Sequence, residues 1–213
     1  ATDQVSAGQL VSITGRAIEY QGQTQLDLAT TQICGPYALP TPVDVTLPFP
    51  NATFPERYEG MLVRLPQDLT ITDNYYLGEF GAVRVSSGGR LSNPTNVITP
   101  GAPAIALQAA NDLNLLYVDD AFNDHNPAYV AFGGGSSPLD YTNTLRTGYT
   151  TTNVIGVMTY VWGGHSRSPN DYRVRPIATP YFSNANARPA APPLPPTTTL
   201  VVASANLLNF MND

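Results

Sequence analysis

Asp119-Asp120-Ala-Phe-Asn-Asp124-His125-Asn126 gathers three carboxylates, two side-chain amides and an imidazole within eight residues. Oxygen donors at this density suit a hard divalent cation, and calcium tolerates irregular loops. The spacing is not that of an EF-hand, because the required glycine and distal glutamate are missing. Asp119, Asp120 and Asp124 are therefore candidate metal ligands, with solvated turn residues as the plainer reading. A second set combines rings and guanidinium groups: Tyr75, Tyr76, Phe80, Arg84, Arg90, Trp162, Arg173 and Arg175. Aromatic faces that stack bases, beside cations that follow a phosphate backbone, are the chemistry of single-strand binding. Arg84 lies between Val83 and Val85, so inward valines would turn it outward, and Arg173 and Arg175 share one strand face by the period of two. The plainer reading is that the tyrosines cap a core and the arginines pair with acids.

Other reactive types are too sparse to form a constellation. His125 and His165 are the only histidines and Cys34 the only cysteine, which leaves no zinc set, no nucleophile–base pair and no internal disulfide. Gly133-Gly-Gly135 resembles a phosphate cradle only superficially, since all ten basic residues are arginine and no Walker lysine can follow. It reads better as a loop hinge. Asn51-Ala-Thr53 is a glycosylation sequon, meaningful only in a eukaryotic secretory host.

The elements that must carry these residues are mostly strands. Twenty prolines, seventeen glycines and twelve tyrosines in 213 residues favour a turn-rich all-β protein. Leu10–Tyr20 alternates as a strand, Gln21-Gly22 marks a tight turn, and Gln23–Leu28 can return as a hairpin partner. Residues 35–55 carry six prolines and read as an extended, edge-like connector. Further strands are expected over 60–65, 69–72, 82–86, 115–119, 153–162 and 172–177. One helix is expected over 103–113, with Pro103 suited to its first turn. The domain reading is a small β subdomain over 1–50 and a main body over 51–187. A proline-rich tether follows over 188–199, roughly 37 Å long at about 3.1 Å per residue. Short strands with one helix fit a small, partly open barrel or a sandwich; periodicity does not separate them.

The formal net charge of −6 argues mildly against tight non-specific binding to polyanions. Arginine remains suited to bidentate phosphate contact at a local patch. No apolar stretch has the length of a membrane helix.

After the tether, Val202-Ala-Ser-Ala-Asn206-Leu-Leu-Asn-Phe210 resembles the first strand of the endonuclease/exonuclease/phosphatase superfamily, especially its secreted bacterial nucleases. Phe54-Pro-Glu-Arg-Tyr-Glu-Gly-Met-Leu-Val63, Leu69–Gly78, Gly89-Arg-Leu91, Pro94-Thr-Asn-Val97, Asp119-Asp120 and Asn186-Ala-Arg-Pro189 follow the same family's order. The resemblance implies a mainly β fold: an oligonucleotide/oligosaccharide-binding (OB-like) small β-barrel with one helix, preceded by a small β subdomain. It makes residues 200–213 the first strand of a nuclease domain and Asn206 a catalytic-site residue. Ala205 stands where the family usually has an aromatic. The family's metal-binding glutamate and later aspartate, asparagine and histidine motifs are not in this chain, so the piece itself is expected to be inactive and to need no cofactor. Magnesium or calcium would serve the parent enzyme. The resemblance further implies secretion, an intramolecular partner in the nuclease domain, and DNA or RNA as a ligand. Two other readings stay open: a protein-interaction spacer without a ligand, and a carbohydrate-binding module.

Overall fold

The computed structural model describes residues 5–161, 170–191 and 194–204. The chain begins with a long two-stranded ribbon, β1 (Gln9–Tyr20) against β2 (Gln23–Pro36). At its tip Gln21 and Gly22 both have positive φ, 56° and 82°, the conformation a two-residue hairpin turn requires. The return strand runs eight residues beyond its expected end at Leu28. A register shift at Thr14/Arg16, with Leu28 at φ 52°, marks a bulge that lets pairing resume on the far side. The ribbon is a sheet of its own, and an isolated pair of strands is marginal in water. Its tip meets the main body: Asn170 donates to the Gln21 carbonyl at 3.3 Å, and a Cβ at Gly22 would lie 2.6 Å from the Tyr160 ring.

The main body is one eight-stranded sheet in the order β3-β4-β9-β10-β7-β6-β5-β8. Its strands are β3 (Val43–Asp44), β4 (Leu62–Leu65), β5 (Leu69–Asp73), β6 (Ala82–Ser87), β7 (Leu116–Asp119), β8 (Thr150–Thr151), β9 (Val154–Val161) and β10 (Asp171–Pro176). Strand β4 passes into β5 across only Pro66-Gln67-Asp68, and β8 into β9 across Thr152-Asn153. Three residues reach roughly 14 Å between flanking Cα atoms at most, so these strands cannot lie at distant ends of a flat sheet. The registers agree: Leu62 pairs with Val157, Leu65 with Val154, Leu69 with Thr151 and Thr70 with Thr150. These pairs form one antiparallel ladder, bent where Thr152 donates to the Pro66 carbonyl at 3.3 Å. The path thus makes five walls, β4/β5, β6, β7, β10 and β8/β9, antiparallel except between β7 and β10. The protein is mainly β, with the partly open five-walled barrel of the OB-like class.

Alternation along each wall fills the interior with Val63, Leu65, Leu69, Ile71, Val83, Val85, Leu116, Val118, Val154, Met158 and Val174. Gly156 is required where it stands, since a Cβ there would lie 2.4 Å from the Arg175 carbonyl oxygen. Phe132 and Phe182 meet edge to face at 5.5 Å in the same core. Val45, Leu47 and Phe49 also belong to it. The barrel therefore begins near residue 43, before the boundary expected at 50. The alternating apolar side chains of that proline-rich segment point inward, while β3 pairs in parallel with Val63–Arg64 at the sheet edge.

The expected helix is α3 (Ala102–Leu113), between β6 and β7, with Pro103 in its first turn. Of its residues only Ala104 and Asn111 are buried, and Asn111 donates to the Ser92 carbonyl at 3.1 Å. Two one-turn helices join it, α1 (Leu77–Phe80) and α2 (Pro94–Val97). Among the described residues no helix is long and apolar enough to cross a membrane. The tether bends between Pro195 and Thr198, whose N–H donates back to the Pro195 carbonyl at 3.0 Å. Leu200–Ala203 is exposed and lies in no sheet.

Candidate nucleic-acid interface

Strands β6, β7 and β10 form adjacent walls whose apolar residues face the core, so alternate residues face outward. Register then aligns Arg84 with Tyr117 and Tyr117 with Arg173. The two guanidinium carbons stand 4.9 Å and 5.2 Å from the Tyr117 ring centroid, within cation–π range. One step further, Asp119 lies between Ala82 and the strand carrying Arg175. It accepts from Arg173 Nη1 at 2.6 Å and stands 3.3 Å from Arg175 Nε. Rings complete the face. Tyr76 contacts Tyr117 at 6.4 Å and Phe80 at 5.5 Å, and Tyr75 stands edge-on to Tyr76 at 5.0 Å.

The structure thus places Tyr75, Tyr76, Arg84, Arg173 and Arg175 on one face. Their environments differ from the expectation. Arg173 is 1 % exposed and its partner Asp119 fully buried, which leaves Arg173 no surface for a phosphate. Facing away from the core does not mean facing water here, because rings and neighbouring guanidinium groups cover the outer face. Arg175 is further tied to Asn123 Oδ1 at 3.1 Å, and Arg84 lies 3.7 Å from an Asp171 carboxylate oxygen. Two carboxylates, Asp119 and Asp171, thus stand against the three arginines and offset most of the positive charge of the face. Tyr75, 73 % exposed, is the ring best placed to stack on a ligand. Burial pushes the Tyr117 phenol up to about 12, against the lowering pull of Arg84, so it stays neutral near pH 7.

Arg90 is not part of this face. It lies in the turn after β6 and donates to Thr147 Oγ1 at 3.2 Å. Trp162, His165 and Asn206 fall outside the described residues.

The three candidate metal ligands are not brought together. Asp119 is held by Arg173, Arg175 and the Ala121 N–H. Asp120 accepts from the Phe122 N–H at 3.1 Å and lies against Gly81, while Asp124 is exposed on the following loop. His125 pairs with Glu79 at 3.1 Å. Among the described residues no group of three His, Cys, Asp or Glu side chains has metal-binding geometry. Within this set the Asp119 carboxylate is already engaged by Arg173 and Arg175.

Asp120 has a different consequence. Burial raises its pKa from 3.8 to about 6, with the neighbouring Asp119 charge adding to the rise and the Phe122 N–H opposing it. A carboxyl group whose folded pKa is raised binds more protons when folded, so it weakens the fold as pH climbs from about 4 through about 6. The stability difference between Asp120→Asn and the wild type is expected to move in the variant's favour by about 1–2 kcal/mol between pH 4 and pH 7, discounted for partial exposure. Urea midpoints at the two pH values measure it. An unchanged difference would show that burial does not govern this carboxylate.

No family model, no curated protein and no solved structure matches this chain.

Proposed function

We propose that this chain is a non-catalytic accessory module of a secreted, metal-dependent nuclease. In this reading it positions the catalytic domain and contacts DNA or RNA. The observation that carries it is the coincidence of two independent features: the ordered motifs from Phe54–Val63 to Val202–Phe210, and an OB-like barrel. Barrels of this class take oligonucleotides on a sheet face and its bordering loops. Exposed Tyr75 beside Tyr76 gives the β6–β7 side a stacking platform. Magnesium or calcium would belong to the catalytic domain, consistent with carboxylates here that arginines already occupy.

Fluorescence anisotropy with a labelled single-stranded oligonucleotide, at about 50 and about 200 mM salt, tests the reading. Binding that weakens at the higher salt and on Tyr75→Ala supports it. No binding at the lower salt favours the spacer reading, which the pairing of Arg84, Arg173 and Arg175 with carboxylates supports. Metal-stimulated phosphodiester hydrolysis by this chain alone would overturn the non-catalytic assignment.

A further inference from the structure

The pairing of the arginines is uneven. Arg16 pairs with Asp27, Arg64 with Asp44, Arg84 with Asp171, and both Arg173 and Arg175 with Asp119. Arg57 lies over the Phe54 ring at 4.8 Å. Among the described residues Arg57, Arg90, Arg146 and Arg188 have no carboxylate within ion-pair distance, and separate parts of the chain bring the last three to one rim of the barrel. Arg90 reaches Thr147 Oγ1 at 3.2 Å, and Arg146 Nη1 donates to the Asn186 carbonyl at 3.1 Å. Asn186 Nδ2 closes the group by donating to the Thr147 carbonyl at 2.7 Å. Gly148, at φ 88°, lets Asn186 approach, since a Cβ there would lie 2.9 Å from the Asn186 side chain. Arg188, two residues on, lines a polar cleft of about 400 Å³ with Thr142, Asn143, Tyr181 and Asn184. The nearby Asp140 carboxylate is engaged by the hydroxyl and N–H of Thr142 and by the Asn143 N–H.

We infer that this rim, Arg90–Arg146–Arg188, is where a single-stranded nucleic acid lays its phosphodiester backbone. The inference rests on the nucleic-acid reading above and moves the cationic track from the β6–β7–β10 face to the loops bordering it. Guanidinium groups held by neutral carbonyl and hydroxyl acceptors keep their charge uncompensated and retain donors for phosphate oxygens. Stacking would come from exposed tyrosines, with Tyr181, 67 % exposed, beside the cleft. In a chain of net charge −6, such a patch can act locally because opposing charges beyond about 10 Å are largely screened at 0.1 M salt.

The test is anisotropy of a labelled oligothymidylate against the wild type, the triple variant Arg90→Gln/Arg146→Gln/Arg188→Gln, and Arg84→Gln, across a salt series. Thermal melts would confirm that each variant is folded. The triple variant is expected to lower the slope of log K against log salt by about 2, at about 0.7 per phosphate contact on a single strand. Arg84→Gln is expected to leave the slope unchanged. If the variant unfolds, resolved arginine Nε–Hε resonances of the wild type replace it, and shifts at Arg90, Arg146 and Arg188 on adding the oligonucleotide support the rim. A salt slope left unchanged in the folded triple variant, or shifts confined to Arg84 and Arg175, overturns the rim while leaving nucleic-acid recognition intact. No binding by the wild type at low salt overturns both.

Discussion

Asp119→Ala is expected to destabilise the protein by about 3–5 kcal/mol, the usual cost of removing one partner from a buried ion pair. The carboxylate is fully buried, 2.6 Å from Arg173 Nη1 and 3.3 Å from Arg175 Nε, and it also accepts from the Ala121 N–H at 2.8 Å. Truncation removes the carboxylate that stands 2.6 Å from the buried Arg173 guanidinium, and breaking a buried pair on one side costs more than replacing both partners by apolar groups. The double variant Asp119→Leu/Arg173→Met is therefore expected to recover most of the loss, because desolvating a charge pair offsets much of its mutual attraction. Urea unfolding of Asp119→Leu, Arg173→Met and the double, combined as a double-mutant cycle, measures the coupling. A single-variant loss below about 1 kcal/mol would mean that water reaches the pair. The result also bears on function. A domain with about 5–15 kcal/mol of total stability can lose much of it at this site, so weakened ligand binding by Arg173→Ala would report unfolding as much as lost contact.

Phe182→Ala is expected to cost about 3–5 kcal/mol, in the range for deleting a buried ring from a packed core. Phe182 is 1 % exposed and packs edge to face on Phe132, while its backbone exchanges hydrogen bonds with Gly135 at 2.8 and 2.9 Å. These contacts tie the segment after β10 to the long loop between β7 and β8. A loss of that size corresponds to roughly 10 °C in melting temperature for a chain of this length. The same contacts lie close to Arg146 and Arg188, so amide exchange at Gly135, Thr150 and Ser183 is expected to accelerate as well. Unchanged exchange with a lowered melting temperature would show that the ring stabilises the core without ordering the rim.

Much of the scaffold was legible along the chain. The β6, β7, β9 and β10 spans emerge from β-branched runs within a residue or two, α3 from its alanine-rich segment behind Pro103, and the ribbon turn from Gln21-Gly22. The extension of β2 to Pro36 was not, because it depends on a bulge that restores pairing with β1. Nor was the membership of Val45, Leu47 and Phe49 in the barrel core, since prolines obscured their alternation.

The site divides in the same way. Period-two alternation determined that Arg84, Arg173 and Arg175 point away from the core, because pleating is a local property of the strand. Whether they meet water was decided by pairing between β7 and β10, which sets Asp119 beside an arginine 54 residues away. The rim arginines show the opposite case. Residue types and positions gave each a charge, but only the folding of residues 144–149 against 184–188 and the turn after β6 brought Arg90 and Arg146 to Thr147 and Asn186. Burial and countercharge depend on residues distant in the chain, so they are determined by tertiary contact rather than local pattern.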